Sequence, residues 1–303
     1  MCPLAFRGLL VAAVLCLWPG PGAQATAPSR ELEQDIAYYF PDTVGKDPAL
    51  IATYYQDWVD AYMGPAVGRK LHVRYFTRLH DLETYVEQCQ RNHTPPLYLV
   101  LYGEVALENR IRWNLQMIAY GVAGGDEPRH QLSVVVRRDS DIKTLADLRG
   151  RSLIAVEFWG RNRKRFERLV FDGKVALDEV GRFEHSPSST SSLMAVHYKS
   201  AEVGVVSDRL LEALSPRTMA IWRAIRVVHK SPPIPMAVVA TTEGELSGEA
   251  LKAGLEAATS LHNTPEGKRW VDYTRISHVS AGTWTDLYSE ADLTEGASVF
   301  ATK

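Results

Sequence analysis

From Thr144 to Gly173 the sequence passes through a helix signal, a strand, a bare loop and a second helix without a break. A unit of this kind commits a chain to alternating strands and helices, and so to sheets with helices on their faces. Thr144 stands three residues before Asp147, so Thr-Leu-Ala-Asp reads as a capping box with Asp in place of Glu, and Gly150 closes the turn. Ser152 to Val156 is an apolar strand. Glu157, Phe158, Trp159 and Gly160 break the pattern, and Arg161-Asn162-Arg163-Lys164-Arg165 opens a helix that turns Phe166, Leu169 and Val170 to one face and stops at Gly173. Three Arg and one Lys therefore crowd a helix amino terminus. That end already carries free N–H groups and partial positive charge, so cations are unfavourable there unless an anion or nearby carboxylates answer them.

The same alternation runs along the rest of the chain. Asp35 to Phe40 is a strand ending at the loop Pro41 to Gly45. Asp47-Pro48 is a cap and first-turn proline, and the helix that follows stacks Leu50, Tyr54, Trp58 and Tyr62, with Ile51, Tyr55 and Val59 beside them, as a core face stopped by Gly64, Pro65 and Gly68. Leu71 to Tyr75 alternates as a strand, and Leu79 to Arg91 is helical. Leu97 to Tyr102 is a continuous apolar run, the mark of a strand covered on both faces, and it ends at a loop Tyr102-Gly103-Glu104. Trp113 to Ala119 and Leu132 to Val136 add two strands. After Gly173 come a strand Arg182 to His185, a hydroxyl-rich loop Ser186 to Ser192, a helix Leu193 to Tyr198 and a buried strand Val203 to Val206 running into Ser207-Asp208, where Asp208 caps the next helix. Ser231 to Pro235, with three prolines, is a stiff extended crossing back to a strand Met236 to Ala240, and the tail reads as helical.

Arg7, the apolar run Gly8 to Trp18 and the small residues Ala23-Gln24-Ala25 form a cleavable export signal, expected to end at Ala25. Cys16 offers a lipoprotein alternative, which Leu15 opposes because a lipobox wants a small residue there. Cleavage leaves Cys89 alone, so no internal disulfide forms, and its place beside Leu82, Tyr85 and Val86 reads as a buried, inert thiol. A formal net charge of -2 argues against general nucleic-acid binding, which needs cations in excess.

The run Asp141 to Val156, with its Leu-Ala-Asp-Leu-Arg-Gly turn, resembles the entry to the second lobe of type II periplasmic solute-binding proteins. The strand Leu132 to Val136 before it, Val203 to Asp208 after it, the Pro232 to Pro235 return and Thr264-Pro265-Glu266-Gly267-Lys268 follow in the matching order. Within that superfamily the chain is most similar to the phosphate/phosphite/phosphonate-binding branch of ABC-transporter receptors. The resemblance implies an α/β fold of two lobes, each a mostly parallel sheet flanked by helices, joined by two hinge crossings, with ligand held at strand-end loops in the cleft. It divides the chain into a leader (1–25), a first lobe (26–137), a second lobe (138–230) and the rest of the first lobe (231–303).

The ligand-binding positions the resemblance implies are Asp42, Tyr102, Trp159, Arg161, Asn162, Arg163, Ser207 and Asp208, with the hydroxyls Ser188, Ser189 and Thr190 on the same rim by order. The chain departs from that branch at Phe158 to Arg163, where relatives carry a Ser/Thr-rich, Gly-containing loop. Two readings of the departure stay open: Arg161 and Arg163 fork an oxyanion, or they are a solvated stripe paired with Glu167 and Asp172. Trp159 either stacks a ligand or roofs the lobe, and Ser188, Ser189 and Thr190 either line the rim or form a solvated loop with a Ser cap. Nucleophile elbow, P-loop and zinc-protease motifs are missing and the His residues lack metal-ligand spacing, so the expectation is a non-catalytic receptor without cofactor or metal. It would be a periplasmic monomer that carries a small anion to an ABC-transporter permease. The alternative is a sensory module of the same fold that contacts a membrane receptor such as a histidine kinase.

Overall fold

A computed structural model describes residues 33–40, 47–123, 128–157, 162–214, 219–274 and 276–298. The chain begins with β1 (Glu33–Tyr39), α1 (Pro48–Trp58), α2 (Gly64–Val67), β2 (Lys70–Phe76), α3 (Leu79–Arg91), β3 (Tyr98–Tyr102), α4 (Gly103–Asn109) and β4 (Leu115–Ala123). It crosses through β5 (Arg129–His130) to β6 (Leu132–Arg137), β7 (Ser152–Val156), α5 (Arg163–Phe171), β8 (Arg182–Ser186), α6 (Ser189–His197), β9 (Val203–Ser207), α7 (Asp208–Leu214), α8 (Met219–Ala224) and β10 (Ile225–Lys230). It returns through β11 (Ile234–Pro235) to β12 (Ala237–Thr242), α9 (Gly248–Ser260), α10 (Pro265–Thr274), β13 (Ile276–Ala281), α11 (Trp284–Leu287) and α12 (Glu290–Ser298).

Two sheets result, ordered β13-β4-β12-β3-β1-β2 and β10-β6-β9-β7-β8, and β5 pairs with β11 as a two-stranded ribbon between them. In the first, β1 to β4 share one direction while β12 and β13 oppose it; in the second, only β6 opposes the rest. The opposing strands β6 and β12 are the ones entered directly from a crossing. A strand arriving from the other lobe starts at the edge where its neighbours end, so the shared-direction strands of both sheets finish at the crossings. Leu132, which opens β6, pairs with Ser207, which closes β9. That topology is what makes a cleft of strand ends.

The change of sheet falls before Leu132, so β6 belongs to the second sheet and the expected division after residue 137 cuts through the wrong lobe. On the return it falls between β10 and β11.

The capping box is present: the Asp147 carboxylate accepts the Thr144 N–H (2.8 Å) and hydroxyl (3.1 Å), and Gly150 adopts φ 75°. Asp47 caps α1 through the Ala49 N–H at 2.9 Å. The buried face of α1 runs through Ile51, Tyr55 and Trp58 into Val59 and Met63, whereas Leu50 is exposed and Tyr54 and Tyr62 are only partly covered. The expected stripe was thus rotated by one position. Gly64 and Pro65 do not stop this helix: a π-turn at Val59–Met63 accommodates the proline, and the chain stays helical to Val67 before Gly68 turns it at φ 67°. Trp270 on α10 donates to the Tyr38 hydroxyl (3.2 Å), while Tyr55 and Tyr75 close the cluster around that ring at 5.3 and 5.5 Å.

Three further expectations change. Tyr102-Gly103-Glu104 is not a loop, because α4 starts at Gly103. The hydroxyl run is helical from Ser189, capped by Ser188. The tail contains a strand, β13, on the edge of the first sheet.

Candidate functional site

The cleft between the strand ends is lined from both lobes. Tyr102, the last residue of β3, stacks on Phe40 with ring centroids 4.2 Å apart and planes 9° apart. Behind it the Gly103 N–H donates to the Met236 carbonyl at 3.0 Å, tying β3 to the returning chain. From the crossing, His130 is buried with Nδ1 3.3 Å from the Ser207 hydroxyl, and the Ser207 N–H donates to the Ser189 hydroxyl at 3.1 Å. Arg209 on α7 lies buried beside them and donates to the Thr274 carbonyl and to the Met236 sulfur. Tyr102, His130, Thr190, Ser207, Arg209 and Met236 line a cavity of about 10 Å³, room for roughly one water.

Most hydroxyls at the start of α6 are committed to holding that helix end. Ser188 accepts the Ser191 N–H (3.2 Å), and Ser186 contacts Ser192 at 2.6 Å. Thr190 reaches the cavity from the first turn, where the free N–H groups of a helix favour anions.

Burial, and then the charge of Arg209, push His130 down to about 3. The imidazole is therefore neutral at physiological pH and serves as a hydrogen-bond partner. A folded pKa below the unfolded 6.5 means that the unfolded chain takes up the proton first as pH falls. This contribution is absent above 6.5 and destabilises progressively between 6.5 and about 3. His130→Asn is expected to remove up to about 1.4 kcal/mol per pH unit from the slope of stability against pH in that window. Denaturant melts at pH 6.5, 5.5 and 4.5 that give parallel slopes for the two proteins would refute it.

Asp208 is the first residue of α7 rather than the residue before it, and one of its carboxylate oxygens is buried without a hydrogen-bond partner. Burial raises its pKa, against the opposing effect of the Gln131 and Arg209 backbone N–H groups.

A second small cavity lies between Glu104, Glu108, Asn162 and Arg165. Asn162 caps α5 by accepting the Arg165 N–H at 3.1 Å. Arg163 is exposed and pairs with Asp178, so among the described Arg residues of the run this one faces water. Arg165 turns the other way. Its Nε and Nη2 fork both oxygens of Glu104, and Nη1 donates to Asp292 at 2.6 Å, with the Arg165 and Glu104 side chains each only 4% exposed. Arg168 also reaches Asp292, at 3.1 Å. The cations crowding this helix end are thus answered by carboxylates, though not by Glu167 or Asp172. Glu167 instead accepts the Leu177 N–H, and Asp172 pairs with Lys174.

Of the expected positions, Tyr102 and Ser207 meet at the first cavity and Asn162 reaches the second. Ser188 serves as a cap, Arg163 lies on the surface, and Asp42, Trp159 and Arg161 lie outside the described residues. Sequence reasoning placed Thr190 on the rim, where it reaches the cavity, but passed over His130 and Arg209 and did not separate Arg165 from the rest of its run. For Arg209 a signal existed: a cation in the first turn of α7, the same conflict that drew attention to the run at Arg161. Cys89 is half-buried rather than enclosed, at a groove of about 450 Å³ that includes His72, His93, Arg69 and Arg74 beside the start of β1.

A family model described as "ABC transporter, phosphonate, periplasmic substrate-binding protein" matches residues 46–287. No curated protein matches in sequence. Among solved structures, a binding-protein component of an ABC phosphonate transporter from Pseudomonas aeruginosa is similar with TM-score 0.65 and 16% identity, over 89% of this chain and 85% of that one. The PhnD1 protein of Prochlorococcus marinus, in complex with methylphosphonate, gives 0.68 and 9% over 88% and 99%. The periplasmic aliphatic sulphonate binding protein SsuA of Escherichia coli gives 0.53 and 12% over 89% and 92%.

Proposed function

The chain belongs to the phosphonate periplasmic substrate-binding family of ABC transporters, and from that premise we propose that it captures a small oxyanion at the cavity between Tyr102, Thr190, Ser207 and Arg209. The observation that carries this assignment is the Arg209 guanidinium, a buried cation set beside the amino end of α6 in the cleft. A guanidinium and a helix end both favour negative charge and suit phosphonate, phosphate or sulfonate oxygens. Tyr102 supplies one wall and neutral His130 fixes the Ser207 hydroxyl. Asp208 stands at the rim, and Asn162 and Ser188 shape helix ends. The cavity is too small for such a ligand, so uptake requires the lobes to part and close again.

Delivery to a permease, action as a monomer, export by a leader at residues 1–25 and the lack of catalysis belong to the same proposal. No helix among the described residues is long and apolar enough to cross a membrane.

The test is a thermal-shift panel of methylphosphonate, phosphate and methanesulfonate. A true ligand at a hundred times its dissociation constant stabilises by about 2.7 kcal/mol. Arg209→Met is expected to weaken that ligand by roughly 1.5–3 kcal/mol, the range for a hydrogen bond to a charged group, while Arg163→Ala leaves it unchanged. A panel in which no anion moves the melt, or an Arg209→Met protein that binds as tightly as the parent, rejects the assignment.

A further inference from the structure

Among the described residues, Arg165, Arg168 and Arg209 reach from the second lobe across the cleft, each a cation donating to an acceptor on the first. Arg165 forks Glu104 and holds Asp292, Arg168 shares Asp292, and Arg209 donates to the Thr274 carbonyl. Glu104 lies in the first turn of α4, just after β3, and Asp292 lies on α12, which packs against α4. The lobes are also oppositely charged. Residues 132–231 hold half again as many Lys and Arg as Asp and Glu, and the remainder of the chain after residue 25 holds the reverse. Attraction between whole lobes is weak beyond about 8 Å in physiological salt, but a desolvated bidentate pair is screened much less.

Both charges of this pair come from the protein. Arg165 lies beside the proposed ligand cavity, not in it, and its fork is occupied by a carboxylate that is itself buried. We infer that Arg165 is a positioning residue for ligand capture: it latches the lobes shut through Glu104 and Asp292 and so governs opening and ligand exchange without touching the ligand. A cavity with room for about one water admits nothing larger until the latch parts. The latch also adds to closure whether or not the cavity is filled, so a protein lacking it must spend ligand affinity on closing.

The inference goes beyond the receptor reading, and its test needs no ligand. Small-angle scattering of the full protein, dialysed free of small molecules, is expected to give the compact radius of gyration of the closed form, about 19 Å for a chain of this size. Arg165→Met and the isosteric Glu104→Gln are both expected to enlarge it, with far-UV circular dichroism unchanged. Reversing both charges, Arg165→Glu with Glu104→Arg, is expected to bring it back towards the parent value. The latch is overturned if both single variants scatter as the parent does, or if the parent itself scatters as an open body. An anion that shifts the parent's melt while both variants stay compact would remove the latch and leave the receptor intact.

Discussion

Arg165→Ala is expected to lower the stability of the folded protein by about 3–5 kcal/mol, the cost of removing one partner from a buried pair. Both side chains of the pair are 4% exposed, so alanine leaves the Glu104 carboxylate in a dry site without the cation that compensated its desolvation. For a chain this long each kcal/mol moves the melting temperature by roughly 2 °C, which makes a fall of about 6–10 °C the expected reading. Removing both charges together is a different experiment. Arg165→Met with Glu104→Leu is expected to recover most of the loss, because well-packed apolar replacements for a buried pair are often neutral or better. If the single change costs less than about 1 kcal/mol, water reaches Glu104, either in the closed form or because the lobes have parted, and the radius of gyration of the variant separates the two.

Asp292 contributes in the same cluster with a defined sign. Burial raises its pKa, but the Ser289 hydroxyl and the two guanidiniums outweigh that and hold it well below the usual carboxylate range. A depressed folded pKa contributes stability in full above the unfolded value, and that contribution is lost progressively as pH falls from the unfolded value through the folded one, while the folded cluster stays charged at neutral and mildly acidic pH.

Gly103→Ala is expected to cost about 2–3 kcal/mol and to disturb the cleft as well. A Cβ at this position would stand 2.5 Å from the Tyr288 hydroxyl, 2.8 Å from the Pro235 carbonyl oxygen and 2.9 Å from the Pro235 Cβ. Pro235 belongs to the returning crossing, where β11 pairs with β5, so relief has to come from moving backbone. Overpacking of this kind typically costs 1–3 kcal/mol, and the displaced groups adjoin Tyr102, His130 and Met236. Gly150→Ala is the contrasting case. Nothing lies within 4 Å of its added Cβ, and only the left-handed backbone at φ 75° is penalised, by about 1–2 kcal/mol. Urea melts should therefore place Gly103→Ala below Gly150→Ala, and ligand binding should suffer only in the former. The opposite order would mean that the crossing yields easily.

What was readable and what was not divides along physical lines. Thr144 to Val156 was legible because its signals are local: a side chain bonding a backbone three residues away, a glycine in a left-handed turn, and a short apolar strand. Helix α4 was missed because all seven of its residues are buried, so it has no solvent-facing side, and Glu104 and Glu108, though four apart, do not mark one. Strand β13 was missed because its pairing with β4 slips between Ile276 and His278, and a register shift erases the period-two alternation. The face of α1 was misplaced by one position because apolar residues sit side by side along it, with Leu50 exposed beside buried Ile51 and Tyr54 half-covered beside buried Tyr55.

The sequence by itself determined the two-lobed alternating fold, the strand ends that meet in the cleft, and the unfavourable pile of cations at the start of α5. It could not say what answers those cations, because Glu104 and Asp292 lie 61 and 127 residues from Arg165 along the chain. Charge at a helix end is a local property, whereas its compensation is a matter of which distant carboxylate the fold brings within 3 Å. Only the tertiary structure separated Arg163, which faces water, from Arg165, two residues on and turned into the cleft.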